Sequence, residues 1–377
     1  MGCELRHDQG MTSGRRLAVL DAPTNLGLRP PRPGAEPGVR GLAAALRAHD
    51  LVRRIGATDA GAVAVSPYGD VADDETGFRN GPAIATFTSA LADRVGELLD
   101  DKAFPVVLGG DCSIMLGAML ALRRRRTTAL AAIDGHDDYS LPRDESAYRG
   151  RFAAAGLDLW LATGHGSPVL SDIDGRRPYV EESRVVQIGM MREDGDDRDF
   201  ATETFEASDI VCHRARDIRR DGGSATGRAA RTYLEGSDAD AFWVHLDVDV
   251  LHRDHMPAVD SPNPFGITPD ELAPILSELV ASPSCAGIDV AIYDPEIDPD
   301  GSGARLLADR RRPPQEPVGG VHVGSRPVRA ISRSSRGASA GIPTARSKSP
   351  SPPVRCSGGD RTATSSRHAS IVCRSMS

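Results

Sequence analysis

The run Phe242-Trp243-Val244-His245-Leu246-Asp247-Val248-Asp249-Val250 constrains the fold more than any other segment. It is too apolar for a solvated surface loop and reads as a buried strand. Alternate side chains of an extended chain share a face, so Asp247 and Asp249 should point the same way. Two same-side carboxylates in a buried strand are costly unless a cation balances them. The chain must therefore bring this strand to something positive.

Two more apolar runs end in polar clusters. Ala131-Ala132-Ile133 leads into Asp134-Gly135-His136-Asp137-Asp138. Read as extended chain, Asp134, His136 and Asp138 converge, and a divalent ion would relieve their repulsion. The competing reading is a solvated acidic loop. Val106-Val107-Leu108 leads into Gly109-Gly110-Asp111-Cys112-Ser113, where two glycines permit a sharp turn into a helix. Taken alone, Asp111 or Ser113 there reads as a helix cap. Together the three ends offer more donors than one ion needs. Two metals sharing carboxylates would use them, with a bridging water held as hydroxide.

The rest of the body alternates in the same way. Short apolar runs at 17–20, 105–108, 129–133, 185–188, 242–250 and 288–292 read as strands covered on both faces. Amphipathic stretches at 39–54, 83–99, 114–125, 227–234 and 269–280 read as helices. The last opens on Thr268-Pro269-Asp270-Glu271, a cap followed by Pro and acids in the first turn. Such alternation implies a parallel α/β sheet. In that architecture the chemistry sits beyond the carboxyl ends of the strands.

Composition divides the chain near Asp309. Residues 1–15 read as a flexible N-terminus and 16–309 as one domain. Residues 310–377 contain no Leu, Phe, Trp or Tyr and cannot bury a core, so they read as a disordered Ser/Pro/Arg-rich tail. That tail is either a basic arm for RNA or acidic lipid, or an out-of-frame product. It holds 13 Lys and Arg against 2 acids, whereas the first 309 residues hold 32 against 51. An acidic body argues against nucleic acid as a partner. No apolar run is long enough to span a membrane. The six cysteines are scattered, without a CxxC pair, which suits a reducing, cytoplasmic setting rather than a disulfide framework.

The three polar strand ends, in this order and spacing, resemble the metal signatures of the arginase/agmatinase/formimidoylglutamase superfamily, the ureohydrolases. The resemblance implies a three-layer α/β/α domain with a mostly parallel eight-stranded sheet. It also implies two divalent ions, normally manganese, and a hydroxide bridging them that attacks a C–N bond of a linear amidine or guanidine. It further implies a small-molecule substrate and a homo-oligomer. Carried over by position, Asp134 and Asp247 bridge the ions, and Asp138 binds the first and orients the hydroxide. His136 and Asp249 complete the second. Cys112 stands where the family has a metal-binding His; it is either a thiolate ligand favouring zinc or iron(II), or a small buried apolar residue.

Other departures concern the substrate. The proton-shuttling His of arginases has no match in Tyr148-Arg149-Gly150-Arg151-Phe152. His165 is the candidate for that task, its alternative being a surface-loop histidine. Ile292 stands where a guanidinium-binding Glu is expected, and Met256-Pro257-Ala258-Val259-Asp260-Ser261 replaces a Gly/Thr-rich run. The activity expected is a metal-dependent amidine hydrolase. The alternative is a non-catalytic, metal-binding relative with a compromised first site. A single-zinc deacetylase would need a His-His pair, which the sequence lacks.

Overall fold

The computed structural model describes residues 14–191 and 199–308. The tail expected at 310–377 and most of the flexible N-terminus expected at 1–15 lie outside the described residues. Arg15 is described, and its guanidinium donates to the carbonyls of Cys285 (3.0 Å) and Ser282 (2.5 Å).

Eight strands form one all-parallel sheet: β1 (Arg16–Asp21), β2 (Thr58–Ala62), β3 (Ala103–Leu108), β4 (Thr128–Ile133), β5 (Val185–Ile188), β6 (Val211–His213), β7 (Ala241–Asp247) and β8 (Cys285–Ala291). Their order is β2-β1-β3-β8-β7-β4-β5-β6. Helices cover the sheet, giving the expected three-layer α/β/α architecture. Every residue of β3, β4, β5 and β7 is buried, as parallel strands covered on both faces require. The two edge strands were not legible in the sequence. β2 (Thr-Asp-Ala-Gly-Ala) is mostly exposed and β6 half-buried, so neither needs an apolar pattern.

The helix Ile114–Arg123 is apolar all round because it is buried from Ile114 to Leu122. It packs on the helix Gly81–Asp100, and the crossing needs Gly117, where a Cβ would lie 2.8 Å from Leu91. The helix Pro269–Val280 starts where its cap predicts: Thr268 and Glu271 form a capping box. The stretch 39–54 is not one helix. It breaks into Gly38–Gly41, Leu42–Ala48 and Leu51–Arg54, with Asp50 left-handed at φ 61° in the last break. Among the described residues, no helix is long and apolar enough to cross a membrane.

Candidate metal centre

β3 ends at Leu108, and the turn after it passes directly against the loop that follows β1. A Cβ on Gly110 would lie 1.6 Å from the Thr24 carbonyl oxygen, so only glycine fits there. Asp111 is fully buried and accepts from the N–H groups of Gly27 (3.0 Å) and Ser113 (3.0 Å). It therefore ties two loops together rather than acting as a simple cap, and Ser113 makes no side-chain cap. This places Cys112 inside, with its Sγ 2.9 Å from Asp247 Oδ2 on β7.

The other two ends converge, but not by strand alternation. β4 stops at Ile133, and the chain then turns. Asp137 accepts from the N–H groups of Tyr139 and Ser140 and from the Ser140 hydroxyl, which holds the turn. Asp138 reaches the site from a left-handed backbone at φ 43°. Likewise β7 stops at Asp247, and Asp249 lies on a 3-10 turn, its N–H donating to Asp247 Oδ1 at 2.7 Å. His136 Nδ1 sits 2.9 Å from Asp249 Oδ2 and 3.7 Å from Asp134 Oδ1. Cys112, Asp134, His136, Asp138 and Asp249 come together, aimed by turns, and Asp247 joins them through the Cys112 thiol and the Asp249 N–H.

Three groupings offer donor atoms within 4.8 Å of one another: Cys112 with Asp134 and Asp138; Asp134 with His136 and Asp249; and Cys112 with Asp158 and His245. Burial pushes the Asp134 carboxyl up to about 7, helped by the negative charge of Asp249. Burial also raises Asp138 and Asp247, and neighbouring carboxylates add to it. It raises the Cys112 thiol well above its usual range, with Asp247 adding to the effect. The raised carboxyls of Asp134, Asp138 and Asp247 and the raised thiol of Cys112 fit divalent cations, whose charge would hold them ionised.

The remaining candidates fall elsewhere. His165 is in none of the groupings. Its ring stacks on Trp160 and its Nε2 lies 3.0 Å from Glu182 Oε1 and 3.2 Å from the Tyr139 hydroxyl. Tyr139, Trp160 and His165 line a cavity of about 430 Å³. That cavity borders the metal-candidate loop, since the Trp160 N–H donates to the Asp138 carbonyl at 3.1 Å. Asn25, beyond the end of β1, is buried and donates to the Pro37 carbonyl at 3.0 Å, so it fixes a loop. Of the four arginines 123–126, Arg125 reaches a helix carbonyl, that of Ala121. Arg123 donates to the Pro178 carbonyl, and Arg124 pairs with Asp93 and Asp174. Ile292 is buried at φ 76°, an unusual backbone for a β-branched residue. Sequence reasoning missed Asp158 and His245, although His245 shares the alternation of Asp247 and was open to the same argument.

Residues 15–310 match the family model described as "Arginase family". The chain is 28% identical over 262 residues to an arginase of Bacillus subtilis, covering 67% of this chain and 82% of that one. It is 25% identical over 303 residues to an arginase of Staphylococcus aureus, covering 76% and 93%. Among solved structures it resembles the arginase of Bacillus caldovelox, with a TM-score of 0.67 at 22% identity, covering 77% of this chain and 94% of that one.

Proposed function

Because the chain belongs to the arginase family, we propose that it is a hydrolase of C–N bonds in linear amidines or guanidines that works with two divalent ions. The observation that carries this is the convergence of buried donors from the ends of β3, β4 and β7. In this reading Asp134 and Asp247 would serve both ions, Asp138 the first, and His136 and Asp249 the second. Manganese is the family's usual metal; the thiol of Cys112 admits zinc or iron(II). Such a pair of ions, when bound, polarises the substrate and makes water nucleophilic near neutral pH.

The protein's own groups supply the rest. Asp138 would orient the attacking water through its carboxylate. His165, held between Tyr139 and Glu182, passes a proton between the cavity and the leaving amine. The cavity seats the far end of the substrate, with Trp160 and Tyr139 as its flat walls. Ile292 offers no charge to a guanidinium, so arginine itself is not the favoured substrate. We place the protein in a reducing cytoplasm, the setting that scattered cysteines without a CxxC pair suit.

The test is hydrolysis of a panel of linear guanidines and formimidoyl compounds, read as urea, ammonia or formamide. Turnover should need added Mn²⁺ or Zn²⁺ and vanish in Asp134→Asn. Folded, metal-loaded protein that turns over none of the panel would instead favour the non-catalytic metal-binding relative.

A further inference from the structure

We propose that Cys112, Asp158 and His245 form a buried site for one thiophilic divalent ion, of the zinc or cobalt(II) class, which shares only Cys112 with the carboxylate groupings. The inference deepens the metallohydrolase reading by naming where the thiolate is used. The first strand end carries a thiol where an imidazole is expected. His245, two residues before Asp247 on β7, supplies an imidazole from another direction.

The three side chains are 0%, 1% and 1% exposed. Their donor atoms lie within 4.8 Å of one another. They come from three separate elements: the turn after β3, the first residue of the helix Asp158–Ala162, and the interior of β7. His245 is oriented in the manner of a metal-ligating histidine. Its Nδ1 lies 2.5 Å from Asp289 Oδ1 on β8, and the other oxygen of Asp289 accepts from Trp243 Nε1 at 2.6 Å. A carboxylate that takes the Nδ1 proton fixes the tautomer and aims Nε2 the other way.

That Nε2 has no hydrogen-bond partner, and neither has Asp158 Oδ2, although both are buried. Asp158 is itself held, its Oδ1 accepting from the Leu159 N–H at 2.6 Å. The two orphaned atoms face each other at 3.8 Å. A direct charge-assisted bond would close to about 2.8 Å. A tetrahedral ion with ordinary zinc–nitrogen and zinc–oxygen bonds holds such atoms roughly 3.4 Å apart. The gap is thus too long for a direct hydrogen bond and within a small adjustment of an ion's edge. Two desolvated polar atoms left unmatched destabilise the folded chain. A shared ion removes that cost.

The experiment is cobalt(II) titration of the full chain, stripped of metal, followed by the thiolate-to-cobalt charge-transfer absorption in the near ultraviolet. Wild-type protein should show the band. Cys112→Ser, Asp158→Asn and His245→Gln should lose it, and Asp289→Asn should weaken cobalt affinity by about 10–100-fold. Asp138→Asn and His136→Ala should keep it. A band kept in Asp158→Asn and His245→Gln but lost in Asp138→Asn would overturn the proposal, because the thiolate would then serve the carboxylate grouping. Cobalt bound with no band would overturn it as well. Should the His245→Gln chain not fold, His245→Cys adds a second thiolate and should intensify the band; a folded His245→Cys chain with an unchanged spectrum refutes the site. Hydrolysis is read separately with Mn²⁺, so an inactive chain that shows the band fails the functional reading and upholds this one.

Discussion

Asp134→Asn should stabilise the metal-free protein, and more so as pH rises. Asp134 is 3% exposed, and its carboxyl is pushed up to about 7 from 3.8 by burial and then by Asp249. A group whose pKa is raised on folding contributes stability that is complete below its unfolded pKa. That stability is lost as pH rises through the folded value. At about 1.36 kcal/mol per unit, a shift from 3.8 to about 7 costs the folded metal-free chain roughly 4 kcal/mol at high pH. Between about pH 5 and about pH 8 the change is roughly 2–3 kcal/mol. Asparagine carries no such cost. Asp138 and Asp247, both raised in part by the charge of Asp134, shift the balance in the same direction. The assay is urea unfolding of both proteins with chelator present at the two pH values. The stability advantage of the variant should widen by about 2–3 kcal/mol from the lower pH to the higher. An advantage equal at both would refute the argument that buried, uncompensated charge is what this centre costs. With metal at about 10,000 times its Kd the wild type gains roughly 5.5 kcal/mol, which exceeds that cost, and the ranking should reverse.

Gly110→Ala places a Cβ 1.6 Å from the Thr24 carbonyl oxygen. It should cost about 3 kcal/mol or more in thermal unfolding and reduce metal retention, because Cys112 is the second residue after it. Trp243→Phe removes the indole donor to the buried Asp289 and should cost about 1–3 kcal/mol in chemical denaturation. His165→Ala should leave bound metal per chain unchanged while lowering kcat by about 100-fold or more. Loss of metal in that variant would contradict its placement outside the donor groupings.

The sequence disclosed the interior of the sheet and the donors at its ends, because both depend on residue type. Buried strands such as 129–133 and 185–188 must be apolar, and buried acids stand out against them. Edge strands β2 and β6 face solvent on at least one side, so nothing in their composition marks them. Aim was less legible than identity. Asp138 and Asp249 reach the centre from turns, which depend on hydrogen bonds such as those to Asp137 and Asp247 that only tertiary structure reveals. Asp158 was invisible for a similar reason. In Gly156-Leu157-Asp158-Leu159 it resembles an ordinary helix-start acid, and only its orphaned oxygen beside His245 distinguishes it.

The order of the strands also sets an order in time. β1, β2 and β3 are neighbours, and so are β4, β5 and β6, but the two triplets meet only through β8 and β7. A chain emerging from the ribosome can assemble each leaf early and must then wait for its last two strands to splice them. Until then Cys112 lies on one leaf and Asp134, His136 and Asp138 on the other. Closing such distant pairs is slow, and it leaves the apolar margins of β3 and β4 open to wrong partners meanwhile. A break before Cys285 would thus part the sheet down its middle rather than trim its margin.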